Sequence, residues 1–261
     1  MARKICIANQ KGGVGKTTTA INLSASLAVA EKKTLLVDCD PQGNATTGVG
    51  VEKSELEKTL YHGMIGSAGV EELLMDTDID TLKVIPAQVE LIGFEVEMME
   101  QPGRNTALRS LLGKIESNFD YIIIDCPPSL SLLTVNALAA ADSMLIPLQC
   151  EFYALEGLGQ LLDTYKRIRK RINPHLTIAG ILLTMFDKRT NLAHQVAAEA
   201  DKFFHQLVFK TRIPRNVRLG EAPSFGKPVL LYDAMSPGAL SYIQLAGEIL
   251  NGQSNARSHG H

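Results

Sequence analysis

Phosphate chemistry needs backbone N–H groups, a lysine and a hydroxyl held around a small anion, and NQKGGVGKT at positions 9–17 supplies all three. Gly12, Gly13 and Gly15 leave room for N–H groups to close around phosphate oxygens at the positive end of a helix. Lys16 is then placed to reach β- and γ-phosphates, and the Thr17 hydroxyl to ligate Mg²⁺. Asp125 ends YIIID, a position from which a carboxylate holds Mg²⁺ directly or through a water. A strand-end Asp that caps the next turn has the same local pattern. Asp38 and Asp40 stand two apart in VDCDPQGN, so on an extended chain both can face the phosphates. Carboxylates beside a triphosphate are costly unless metal or lysine offsets them, which argues for Mg²⁺ nearby. For Asp40 alone, an Asp-Pro-Gln-Gly turn is the competing explanation.

Strands must carry these groups to one edge. Apolar runs predict strands at Lys4–Ala8, Thr34–Asp38, Leu82–Ile85, Tyr121–Asp125, Ser143–Leu148, Ile178–Thr184 and Phe209–Ile213. Helical spacing is expected over Thr17–Ala30, Val89–Glu100, Thr106–Ser117, Leu132–Ala140, Leu155–Ile172, Leu192–Phe204 and Ser236–Leu250. Between Val51 and Asp80 the chain is acidic and irregular, with short helical pieces at Leu56–Tyr61 and Val70–Leu74. This alternation predicts an α/β fold, a mostly parallel twisted sheet with helices on both faces. Ligands of such sheets bind at the carboxyl ends of the strands, where all three motifs fall. No linker or repeat divides the chain, so residues 1–250 are expected to form a single domain and 251–261 a disordered tail.

The 261 residues carry a net charge of -2. Between Gln160 and Leu230 there are 13 Lys/Arg against 5 Asp/Glu, which suggests one positive face; an ordinary solvated helix surface explains the count equally well. In YKRIRKR the charges also suit the negative pole of a helix dipole. Cys6, Cys39, Cys126 and Cys150 form no CxxC pair and read as buried thiols of a reducing cytoplasm. Nothing from Met1 onward reads as a signal peptide, and no apolar run is long enough to span a membrane.

The glycine loop departs from GxxxxGK[ST], having Gln10 where the first glycine belongs and a second lysine, Lys11, before the glycine pair. KGGVGKT resembles the deviant Walker A loop of the ParA/MinD/nitrogenase-iron-protein group of P-loop NTPases. The likeness extends through LLVDCDPQGNATTG, YIIIDCPPSLSLLTVNAL, ALEGL, LLTMFDKRTNL and IPRNVRLGEAPSFGKPV to the Soj-type ParA partition ATPases. That resemblance implies a slow Mg²⁺-dependent ATP hydrolase with ATP held by Lys11, Gly12, Gly13, Val14, Gly15, Lys16, Thr17 and Thr18, and with adenine at Pro214 and Asn216. Lys11 would act across a two-fold axis on the other subunit's phosphates, the counterpart of an arginine finger; an exposed loop lysine is the plain alternative. Asp40 would position the attacking water, and Asp38 would lie near the metal as an outer contact. Arg189 and Arg218, with Lys188, Arg215 and Lys227 as neighbours, would contact duplex DNA without sequence preference. The implied partners are a ParB-like centromere-binding protein, DNA and a second copy of the chain in an ATP-dependent homodimer, with no membrane, in a cytoplasmic, nucleoid-associated protein.

Three other readings compete. A related ATPase that positions protein cargo on the nucleoid is excluded by no residue. A MinD-like membrane-positioning ATPase lacks support, because ILNGQSNARSHGH carries no basic-apolar amphipathic helix. A biosynthetic ligase or kinase of the same fold needs a small-substrate pocket for which no residues stand out.

Overall fold

The computed structural model describes residues 1–151 and 154–257. Eight strands form one sheet: β1 (Arg3–Ile7), β2 (Thr34–Asp38), β3 (Met75–Asp76), β4 (Leu82–Ile85), β5 (Tyr121–Asp125), β6 (Ser143–Gln149), β7 (Thr177–Phe186) and β8 (Val208–Pro214). Their order is β3-β4-β2-β5-β1-β6-β7-β8, parallel throughout except for the β3–β4 pair. The helices are α1 (Lys16–Val29), α2 (Asn44–Gly48), α3 (Leu60–Met64), α4 (Leu91–Glu97), α5 (Ala107–Leu112), α6 (Leu132–Ala140), α7 (Ala154–Arg171), α8 (Asn191–Phe204), α9 (Val217–Glu221), α10 (Val229–Tyr232) and α11 (Pro237–Arg257).

Successive strand residues feed opposite cores, as the period of two requires. Cys6, Leu35, Val37, Ile122 and Ile124 belong to the core that also takes in α4–α8. Ile5, Ile7, Leu36, Tyr121 and Ile123 belong to the core under α1 and α11. Both faces are thereby covered, and the strands read as unbroken apolar runs for that reason. The four cysteines are free and buried.

Five local expectations are corrected. Leu56–Tyr61 is not one helix: Thr59 caps the helix that begins at Leu60, with His62 reaching back to the Thr59 N–H. The helices expected at Val89–Glu100 and Thr106–Ser117 are the shorter α4 and α5. The closing helix continues past Leu250 to Arg257, since no breaker of the proline kind interrupts GQSNAR. In the segment read as irregular, β3 adds an antiparallel edge strand. Finally, the basic count does not make one face: α7 carries Arg169, Lys170 and Arg171 to its last turn, ahead of the start of β7. The other cationic residues of interest follow the far ends of β7 and β8. No described helix is long and apolar enough to cross a membrane.

Candidate functional site

The strand order places β1 between β5 and β6, so the chain leaves β1 at the point where the sheet's winding reverses. The loop after β1 is shaped by Asn9, whose amide donates to the Pro147 carbonyl at 2.7 Å and whose oxygen accepts the Lys11 N–H at 3.0 Å. Gly13 and Gly15 have φ of 73° and 87°, left-handed values that side chains disfavour. Gly15 is the N-cap of α1, which has no acidic residue in its first turn; the exposed N–H groups and dipole end are left for an anion. Lys16 is 6% exposed and folds back so that Nζ donates to the Lys11 carbonyl at 3.1 Å. Burial lowers its pKa, opposed by the charge of Asp125. An open cleft over the loop is lined by Gly12, Gly13, Gly15, Lys16, Thr17, Thr18, Asp40, Asn44, Pro128 and Met185. Val14 is buried beneath, its carbonyl accepting the Thr184 hydroxyl at 2.8 Å.

Beneath that cleft lie two adjacent strand ends, where Asp38 of β2 pairs in register with Asp125 of β5. Neither oxygen of the fully buried Asp125 has a hydrogen bond of ordinary geometry. Burial first, then the Asp38 charge, pushes its pKa well above the carboxylate range; the Thr17 hydroxyl and Lys16 act in the opposite sense. A desolvated carboxylate with so little to offset its charge, beside a threonine hydroxyl, fits a divalent cation with oxygen ligands.

Asp38 does not face the cleft as its spacing from Asp40 suggests. One oxygen accepts the Asp40 N–H at 3.1 Å, and the other accepts both the N–H and the hydroxyl of Thr46 at 2.8 Å. Thr46 in turn accepts the Ala87 N–H at 3.0 Å. Asp38 is thus the buried tie between β2, α2 and the end of β4, and burial raises its pKa to about 6. Asp40 keeps its place on the cleft, one oxygen accepting the Gln42 N–H at 2.9 Å. Gly43 permits this tight return with φ of 61°; a Cβ there would meet the Ala87 carbonyl at 2.5 Å.

A second, apolar cavity adjoins the first. It is lined by Gly15, Thr18, Thr184, Met185, Ile213, Pro214, Arg215, Asn216, Leu219, Gly220 and Tyr242. The Asn216 side-chain oxygen is buried there without a partner. The expected adenine residues Pro214 and Asn216 are therefore together beside the phosphate loop, while Arg215 lines the same cavity. Thr184, Met185 and Tyr242 were missed; the rule that strand ends build the site pointed to the first two, but nothing local marks Tyr242, which reaches Thr19 at 3.1 Å from far along the chain.

Lys11 is exposed and pairs with Glu151 at 2.6 Å. Arg189 lies in a fork with Asp187 at 2.9 and 2.8 Å, which holds the Asp187 carboxyl below its usual range. Arg218 pairs with Glu221 at 2.8 Å and Asp233 at 3.3 Å. Phe186 pairs with Pro214, so the segments bearing Lys188 and Arg189 and those bearing Arg215 and Arg218 leave the sheet side by side. Lys188, Arg215 and Lys227 are exposed.

A family model described as an AAA domain matches residues 2–178. The chain is 56% identical over 250 residues to the chromosome partitioning protein ParA of Myxococcus xanthus, covering 96% of this chain and 88% of that one. It is 54% identical over 249 residues to the sporulation initiation inhibitor protein Soj of Bacillus subtilis, covering 95% and 98%. Among solved structures it resembles a Mycobacterium smegmatis protein described as cobyrinic acid a,c-diamide synthase with bound ATP analog and magnesium: TM-score 0.86, 34% identity, 98% and 97% coverage. Identity above one half across nearly the full length, on a sheet whose strand ends bring the glycine loop and the buried Asp125 together, identifies the chain as a member of the ParA/Soj family of P-loop ATPases.

Proposed function

We propose that the chain is a Mg²⁺-dependent ATPase acting as a nucleotide switch in DNA partitioning: ATP pairs two copies, the pair binds duplex DNA without sequence preference, and a ParB-like partner resets it by stimulating hydrolysis. The observation that carries the nucleotide reading is the fully buried Asp125 carboxylate beneath Lys16, with only the Thr17 hydroxyl and the Lys16 charge favouring its ionised form against burial and Asp38. Thr17 and Asp125 would hold the metal, Asp125 directly or through a water, with Asp38 behind them as a support. Magnesium supplies charge neutralisation of the phosphate oxygens.

The phosphates would sit on the N–H groups of Gly12 to Thr18, with Lys16 swinging from the Lys11 carbonyl to the β- and γ-phosphates. Adenine fits the apolar cavity, where the Asn216 oxygen can accept its exocyclic amine. Asp40, at the cleft rim, would orient the attacking water. Lys11 would leave Glu151 to reach the other subunit's phosphates; an exposed pair of this kind contributes about 0–1 kcal/mol, so release costs little.

Relatives described as chromosome partitioning ParA at 50–56% identity support the partition reading over the synthase one, whose solved examples reach 34–35%. DNA binding rests on Arg189 and Arg218 at neighbouring strand ends. Both are paired to carboxylates in the single chain, so phosphates must compete for them. The test is fluorescence anisotropy of a labelled duplex at low and physiological salt, with Mg-ATP and with Mg-ADP. ATP should tighten binding, and Arg189→Ala and Arg218→Ala should weaken it evenly across sequences and flatten the salt dependence. Affinity unchanged by ATP and by both substitutions would remove DNA from this account.

A further inference from the structure

Helix α4 is apolar on two sides. Leu91 and Phe94 are fully buried in the core. Val89 just before the helix, Ile92 and Val96 on it and Met99 just after it form a second row that is 66, 51, 69 and 59% exposed. Leu130, also half exposed, lies on the neighbouring loop, which the Leu133 N–H ties to Glu95 at 3.4 Å. An exposed apolar patch of this kind marks an interaction surface.

The rim of the stripe names the occupant. Between Lys83 and Arg104 the chain has Glu90, Glu95, Glu97 and Glu100 and no lysine or arginine. Over residues 51–100 there are 12 Asp/Glu against 3 Lys. A second copy docking the same face about a two-fold axis would set these carboxylates against one another. An amphipathic helix with lysines and arginines beside its apolar face matches both the stripe and the rim.

The stripe also touches the hydrolytic machinery. Gln88, next to Val89, donates through its side chain to the Lys53 carbonyl. Lys53 Nζ donates to the Gln42 carbonyl at 2.9 Å, and the Gln42 N–H donates to Asp40 at 2.9 Å. Pro41, Gln42, Lys53, Ser54, Gln88 and Val89 line one open cleft. We propose that the α4 face docks a basic amphipathic helix of the partner that stimulates hydrolysis, and that Gln88, Lys53 and Gln42 carry the contact to Asp40. This rests on the partner-stimulated switch reading above.

The test uses the full chain with Mg-ATP and a synthetic peptide about five helical turns long, with leucines on one face and lysines and arginines on the other. A scrambled peptide of identical composition is the control. Anisotropy is read at about 0.15 M salt, where loose charge attraction is screened. The amphipathic peptide should bind at least about tenfold more tightly than the scrambled one, and Ile92→Ser/Val96→Ser, which leaves charge untouched, should remove that advantage. Glu97→Lys/Glu100→Lys should weaken binding similarly. The peptide should raise ATP turnover of the native chain and of neither double variant, whose basal turnover stays normal. Lys53→Ala should bind the peptide normally and lose the stimulation.

Equal binding of both peptides, or binding unaffected by both double substitutions, overturns the docking site. Loss of ATP-dependent pairing in Ile92→Ser/Val96→Ser without peptide, read by sedimentation, would assign the face to a second copy instead and overturn the proposal. Normal stimulation in Lys53→Ala overturns the route to Asp40. Turnover absent from the native chain, with peptide binding and its losses as expected, would refute the switch reading and leave the docking site standing.

Discussion

Thr46→Val should uncouple the Asp40 turn from the sheet. Thr46 is fully buried, and valine keeps its shape, so the change is confined to one hydroxyl. That hydroxyl donates to Asp38 and accepts the Ala87 N–H, at 2.8 and 3.0 Å. Removing it strands the Ala87 N–H, at about 1–3 kcal/mol, and takes from a charged acceptor a bond worth about 1.5–3 kcal/mol. Together about 2.5–6 kcal/mol should be lost from a total that for most domains is about 5–15 kcal/mol.

The loss should depend on pH with a definite sign. Burial raises the Asp38 carboxyl to about 6, above its unfolded value, so the fold favours the neutral form. The nucleotide-free chain should lose stability as pH rises from about 4 to about 6, by no more than about 3 kcal/mol from this group. The Thr46 hydroxyl favours the charged form; without it the folded pKa climbs further, and the penalty of the substitution should be larger at pH 8 than at pH 5. Urea unfolding of both proteins at the two pH values measures this. A loss under about 1 kcal/mol at pH 8, or a larger loss at pH 5, would refute the role given to the Asp38–Thr46–Ala87 link.

Hydrolysis should separate from binding: Lys16→Ala should lose nucleotide, whereas Asp40→Ala should retain ATP and lose turnover, as read by calorimetric titration and phosphate release. Equal loss of ATP affinity in both would make Asp40 a binding residue. Asn216→Ala should weaken ATP by about 1–3 kcal/mol and erase its preference over GTP, since an acceptor facing the base is removed; undiminished preference for ATP would move adenine out of the apolar cavity.

Much of this site could be read before any coordinates. Thr34–Asp38, Leu82–Ile85 and Tyr121–Asp125 are the observed strands to the residue, because a strand buried on both faces leaves a mostly apolar run, broken in Leu82–Ile85 only by the half-buried Lys83. The glycine loop and Asp125 followed from motif and position at strand ends. What stayed hidden depends on partners distant in sequence. Nothing near Asp38 tells that Thr46 absorbs its carboxylate, and nothing near Lys11 points to Glu151, 140 positions away. Asp187 lies only two residues before Arg189, but whether they fold onto one another is a matter of turn geometry. The charge count misled because it ignores direction: α7 runs back across the sheet and takes three of its cations to the opposite edge.

Sedimentation velocity of the full chain tests most directly whether ATP closes two chains around their glycine loops. A Cβ at Gly12 would meet nothing within 4 Å in the single chain, so Gly12→Val should be tolerated by the fold and act on what approaches the loop. The native chain should sediment as a monomer alone and with Mg-ADP, and as a dimer with Mg-ATP. Gly12→Val should bind ATP with near-native affinity and remain monomeric. Dimers in all three states, or a Gly12→Val chain that dimerises normally with ATP, would contradict that closure.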